Sequence, residues 1–481
     1  MNRTLLIISA LSLFTVVAGF SACSGPDDAA VSVAPPAAPA LKASPRAVCG
    51  PGSRPETGFQ GQVSKADHDS GRAKEGYTCN TELVGKYDIP NAIGTVGGFK
   101  VERYVDQAGR ECAYYDTTLL FPSNVFDTQA GVNVLDMSDP SKPVLSKPLV
   151  TPAMDSPHET LVLNQKRGLL VAVSSTLATA PGIVDIYDLT QDCRNPTLKA
   201  SAPVGLLGHE SGISPDGNTF YTASFYSPDQ YSVGALTAVD ISNPMQPRPL
   251  TVFNMRSHGL SLSNDGNRAY VAGAGAHKGL VILDTSQVQS RTGTIPTISQ
   301  IGTTLTWDSM STPQNAIPIT IKGHPYLVEI DEFGAQSRVG AGRIIDIGDE
   351  TKPVVISNLR LEVHDPANFA AQANDPGATA PFQGYAGHYC NVPTRVDPPI
   401  VACSMIVSGL RVFDIRDPFN PREVAYFNAP VNPRVITQPS PASNYAMASP
   451  AFAPERKEIW YSDGHNGFYA VRVTNGAWPA N

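Results

Sequence analysis

HESGISPDGNTFYTAS, residues 209–224, and HGLSLSNDGNRAYVAG, residues 258–273, align without a gap, and what they share decides the fold. Each opens on a histidine and closes on a short β-prone run. Between these ends Asp216-Gly217 and Asp265-Gly266 fall at the same offset. Asp-Gly between extended runs marks a hairpin turn, because glycine reaches positive φ without strain. Each segment therefore reads as two antiparallel strands. Two further segments fit the same frame, HETLVLNQKRGLLVAV (158–173) and HYCNVPTRVDPPIVAC (388–403).

Outward from these hairpins a third strand follows. The instances are GVNVLD to Asp136, GIVDIYD to Asp188, ALTAVD to Asp240, GLVILD to Asp284, AGRIID to Asp346 and GLRVFD to Asp414. A seventh, GFYAVR, ends on Arg472 instead. Turns such as SDPSKP, SNPMQP, GDETKP and RDPFNP come next, and then a fourth extended piece such as REVAYFN. Four short strands per unit of about 50 residues describe a β-propeller blade. No apolar periodicity of 3.6 survives between the Gly and Pro breakers, which excludes a run of helices. The expectation is an all-β chain folded as a single propeller of about seven four-stranded blades. The last unit lacks a fourth strand of its own, so an N-terminal strand within residues 79–89 is expected to close it. The propeller is then assigned to 78–481, with its blades at about 92–475, after an N-terminal extension at 49–77.

GLVILDTS, GLRVFDIRDPFNP and VNVLDMSDPSKP resemble the repeat of LVIVD-repeat proteins, named for this third-strand motif. The resemblance covers roughly 92–475 in repeated form. It implies an extracytoplasmic propeller and names no reaction, since the family is defined by its repeat. Arg472 and the irregular fifth unit depart from the pattern.

Candidate chemistry lies in the histidine register. The first strand of each blade lines a propeller's central channel, so His158, His209, His258 and His388 are expected at one height around it. Extending the alignment puts Glu102 of unit one, Asn315 of unit five and Ala448 of unit seven in the same register. Neutral imidazoles suit a divalent transition metal (Fe, Cu, Zn or Ni), and an open position on it would allow redox or Lewis-acid chemistry. A polar small-ligand site at this mouth and a purely structural ring are the competing readings. Glu159 and Glu210 would support the ligands if a metal binds, and are solvent-facing strand residues otherwise. His68, His277, His324, His364 and His465 lie outside the register and read as loop or turn residues. Glu329-Ile330-Asp331-Glu332 and Asp463-Gly464-His465-Asn466 are acidic enough for calcium, but match no EF-hand and read as solvated turns. The absence of GxSxG, GxxxxGK[ST] and HExxH withdraws support from the commonest hydrolase, nucleotide and zinc-protease routes.

Residues 1–22 read as a signal peptide. Arg3 precedes an apolar stretch from Leu5 to Phe20, and Ser21-Ala22-Cys23 resembles a bacterial lipoprotein box with Cys23 as the lipidated residue. Residues 23–48 are Ala/Pro/Ser-rich and read as a tether. Six cysteines remain, an even number that suits an oxidising compartment but leaves 15 connectivities open. Cys390 and Cys403 lie on two arms of one hairpin and are expected to pair. Cys79 with Cys112 would tie the closing strand to blade one, leaving Cys49 with Cys193.

A formal charge of −8 and 16% charged residues favour no nucleic-acid partner. The location expected is the cell envelope of a bacterium through a lipid anchor, or secretion without one. The leading expectation is a monomeric module binding a small ligand or an extracytoplasmic protein, with membrane contact only through the anchor. A metal-dependent enzyme and a surface adhesion or scaffold protein are the alternatives.

Overall fold

A computed structural model describes residues 42–89, 96–117, 131–176, 179–224, 235–333, 339–378, 384–432 and 444–480. The signal segment, Cys23 and most of the tether lie outside the described residues.

Seven antiparallel sheets form a β-propeller. Blades 1 to 5 take their four strands in sequence: Val101–Val105 to Val144–Leu149, Val162–Asn164 to Thr197–Ala202, Ser211–Ile213 to Arg248–Asn254, Ser257–Leu262 to Ser299–Leu305, and Thr312–Ile321 to Val354–Leu359. Blade 6 runs from Tyr389–Asn391 to Arg422–Asn428, and blade 7 from Ala451–Ala453 to Gly467–Val473. The hydrophobic core is divided among the gaps between blades. Leu135 and Trp460 pack blade 1 on blade 7, Tyr114 and Leu170 blade 1 on blade 2, and Phe413 and Ile330 blade 6 on blade 5. Corresponding clusters fill the other four gaps. That explains the third-strand motif. Val132–Leu135, Val184–Tyr187 and Gly279–Leu283 are buried at every position because each blade is covered on both faces, so strand alternation disappears from the sequence.

The aspartate closing each motif turns the chain. Asp136, Asp188, Asp240, Asp284, Asp346 and Asp414 each accept the backbone N–H two residues on, at 2.8–3.1 Å. This Asx turn aims the chain into the Pro-containing loop. Arg472 departs from the motif for a reason visible in the sheet. It stands opposite Glu82 of the closing strand, Thr81–Tyr87, and bonds Glu82 at 2.9 Å and Glu458 at 3.0 Å.

The N-terminal segment does two jobs. Tyr77–Cys79 adds a fifth strand to blade 6, Asn80 swings the chain at φ +52°, and Thr81–Tyr87 becomes the outer strand of blade 7. Upstream, Glu56 pairs with the fully buried Arg411, which also holds Glu423 at 3.0 Å.

Three disulfides fit an extracytoplasmic chain. Cys390–Cys403 spans directly opposite positions of the blade 6 hairpin. The other two expected pairings are corrected to Cys49–Cys79 and Cys112–Cys193. Cys79 sits on the outer edge of blade 6, where the incoming chain passes. Cys112 is in the second strand of blade 1, buried against the Asx loop of blade 2 that carries Cys193.

Candidate functional site

The innermost strands start at one end of the channel, and the four register histidines sit at or just before those starts. His158 is held with φ +51°, a backbone region that costs a non-glycine residue energy and so needs the surroundings to enforce it. His388 Nδ1 is 2.8 Å from the Met447 carbonyl of blade 7, and His258 Nδ1 is 2.6 Å from the Pro313 carbonyl of blade 5. Each bond fixes a ring and turns Nε2 toward the shared space. His158 Nε2 and His209 Nε2 lie 3.3 Å apart, and the rings of His209 and His258 are 4.2 Å apart between centroids.

Two carboxylates knit the ring together. Glu159 reaches His209 Nδ1 at 2.9 Å and His388 Nε2 at 3.2 Å. Glu332 reaches His388 Nε2 at 3.4 Å and His258 Nε2 at 3.5 Å. Both are buried, so neither is a solvent-facing residue. Tyr389 donates to Glu159 at 2.9 Å, and the Gln314 amide donates to the same oxygen.

Burial, with His209 beside it, drives His158 down to about 3, and burial drives His258 down to about 4. Burial works the same way on His388, but Glu159 and Glu332 outweigh it and lift that ring to about 10. His209 is raised, Glu159 overcoming its burial. Burial pushes Glu159 and Glu332 up, and the histidines bring both below the ordinary carboxylate range. The cluster thus holds strongly basic and strongly non-basic imidazoles within one pocket, the environment in which ligand and acid–base sites are built.

The register residues of the other blades fall elsewhere. Backbone bridges pair Glu159 with Glu210 and Lys100 with Ser449, and Phe99 approaches His158 to 4.6 Å and His388 to 5.2 Å between centroids. Phe99 therefore takes the blade 1 place in the ring. Glu102, three residues further along the strand, lines a separate cavity. Asn315 points one level down the channel, donating to Glu210 at 2.7 Å. Glu210 is buried and paired with Lys100 at 2.7 Å, and Lys100 lies 4.1 Å over the Tyr389 ring. Lys100, Glu210 and Asn315, from blades 1, 3 and 5, form a bar across the channel beneath the histidines.

Glu332, expected in a solvated acidic turn, instead ends the second strand of blade 5 and is buried, joining the cluster from outside the histidine register. Its neighbours Glu329 and Asp331 are occupied by the buried Arg343. Asp463 is likewise saturated, accepting the backbone N–H groups of Tyr445, His465 and Asn466. Neither acidic stretch is a solvated turn. Ala448 contributes no polar group, although its carbonyl accepts the Ser404 hydroxyl at 2.6 Å.

The profile of the LVIVD repeat matches residues 125–151, whose described part holds the third and fourth strands of blade 1. The chain carries an LVIVD repeat. No curated protein matches this LVIVD-repeat propeller in sequence. Among solved structures it is similar to a provisionally assigned 6-phosphogluconolactonase from Bacteroides uniformis, at 12% identity and a TM-score of 0.45 over 75% of this chain and 87% of that one. It is also similar to a functionally unknown protein from Desulfotomaculum acetoxidans, at 12% identity and a TM-score of 0.44 over 73% and 94%.

Proposed function

We propose that this LVIVD-repeat propeller is an exported metal-binding protein, holding one divalent transition ion at the histidine end of its channel. The observation that carries the reading is the convergence of four imidazoles and two carboxylates in one buried pocket, two of the rings pinned through Nδ1 to backbone carbonyls. The spacings suit an ion. The candidate ligand atoms of His158, Glu159 and His209 all lie within 4.8 Å of one another. The 3.3 Å between His158 Nε2 and His209 Nε2 is about the edge of a tetrahedron built on metal–nitrogen bonds of ~2.0–2.1 Å. His258 and His388 would complete a nitrogen-rich set, with Glu332 as an oxygen donor or as the group orienting them. Glu159 already accepts from Tyr389 and Gln314, which suits a carboxylate that aligns imidazoles. Such donors favour Fe, Cu, Zn or Ni over the hard cations, and an ion there can polarise or exchange electrons with a small ligand entering from that mouth. The arrangement favours a metal site over a scaffold whose channel is inert, because an inert channel has no use for carboxylates buried among histidines. Export, with lipidation at Cys23, rests on the leader and on the disulfides.

The test is elemental analysis of the full chain, produced without a histidine tag in an oxidising compartment. About one equivalent of Fe, Cu, Zn or Ni is expected, and it should be lost in a His209→Ala, His258→Ala variant that keeps its disulfides and thermal transition. A wild-type protein that takes up none of these ions on reconstitution would sink the reading.

A further inference from the structure

The channel has a second end, and it is built differently. Beyond the Lys100–Glu210 bar a cavity of about 370 Å³ opens among the far ends of the innermost strands of blades 1, 6 and 7. Its exposed lining is mainly polar, and Val392, Pro393, Phe452 and Pro454 supply apolar patches in the same cavity as Glu102. Among the described residues the Glu102 carboxylate has no hydrogen bond and no ion pair. The cations nearby are committed elsewhere. Arg103 gives Nε to Glu111, Nη1 to the Phe452 carbonyl at 3.2 Å and Nη2 to Glu455 at 2.5 Å, and Lys100 gives its ammonium to Glu210. Asn391, also in the wall, spends its amide on the Pro450 carbonyl and its oxygen on the Val392 N–H. Burial pushes Glu102 up to about 7, Lys100 pulling the other way.

A half-buried carboxyl in a cavity with apolar patches loses part of its hydration, and it gains from a counter-charge that arrives with its own apolar body. A bare divalent ion would need several oxygen donors, and one carboxylate does not supply them. An aromatic ring in the lining gives that apolar body a surface to pack on. We infer that this cavity is a binding site for a small organic ammonium compound, its nitrogen on Glu102 and its apolar part against Phe452, Pro393 and Pro454. The site is independent of the histidine cluster, being separated from it by the bar.

Isothermal titration calorimetry of the full chain with phenethylammonium, set against the neutral phenethyl alcohol, tests the assignment. The ammonium should bind about tenfold or more tightly than the alcohol, and Glu102→Gln should erase that preference. Phe452→Leu, which keeps the charge, should weaken both ligands and leave the preference standing. Thermal transition and metal content recorded on the same samples show whether each variant is intact. No binding of the ammonium to the wild-type chain, or a preference that survives Glu102→Gln in a folded variant, would overturn the proposal.

Discussion

The two ends of the channel solve opposite problems with the same strands. At the starts of the innermost strands charge is compensated several times over: Glu159 and Glu332 face imidazoles, and a tyrosine and a glutamine support Glu159. At the ends of those strands the Glu102 carboxyl has no hydrogen bond or ion pair among the described residues. The first arrangement is that of a site whose protein groups surround a compact guest. The second is that of a site which waits for the guest to bring the counter-charge. What separates them is one layer of side chains, so the comparison can be broken at that layer or sharpened at either end.

The largest effect is expected at the layer itself. Lys100→Met leaves Glu210 as a buried charge without its cation, at a cost of roughly 3–5 kcal/mol in unfolding free energy. A loss below about 1 kcal/mol in urea denaturation would mean that the bar holds nothing together. Next comes Gly259→Ala. A methyl there would run into the Glu210 carboxylate and the Gln314 carbonyl, so about 2–3 kcal/mol of destabilisation is expected. Unchanged thermal unfolding would show that Glu210 can retreat. At the histidine end, Glu332→Gln should lower metal affinity about 10–100-fold in chelator competition, while Glu102→Gln leaves it alone. Equal effects from the two would erase the distinction between the ends.

The smallest effect concerns the turns. Burial raises the carboxyls of Asp136, Asp188, Asp240 and Asp414, but donors from the Asx loops outweigh it and leave them below their ordinary value. At Asp284 the donors of Ser286 dominate outright. A depressed carboxyl contributes stability that is in full above the unfolded carboxylate range and disappears as pH falls through the folded value. Denaturant midpoints should therefore fall with acidification below the usual aspartate range. Asp188→Asn should cost about 1 kcal/mol at neutral pH and flatten that acid limb slightly. An acid limb identical to wild type would remove Asp188 from the explanation.

Much of the architecture was legible because a propeller writes its blade several times over. The Asp-Gly hairpins, the Asp-terminated third strands and the absent final strand suffice for ring and closure. The misread parts depend on how elements meet. Residue spacing places Glu102 in the histidine register, whereas the backbone bridges from Lys100 to Ser449 and from Glu159 to Glu210 put Phe99 there. Cys390–Cys403 pairs as expected, but the other two pairings failed because the extension splits at Asn80, sending Cys79 to blade 6 while Thr81 begins the strand of blade 7. Glu332 belongs to no repeated position, so only the folded hairpin brings it to His258 and His388. Buried Glu159 and Glu210 read as exposed because a polar residue beside a histidine says nothing of what faces it.

The union of Glu82 with Arg472 across 390 positions of sequence also sets a timetable. Translation at ~5–20 residues per second makes the closing strand wait on the order of 20–80 s for the partner it pairs with. Until the two meet, the outer edge of Gly467–Val473 and the edge of Thr81–Tyr87 lack each other's hydrogen bonds. The youngest part of the chain completes the work of nearly the oldest, and any cell making this protein must keep those edges apart from other strands until the last blade arrives.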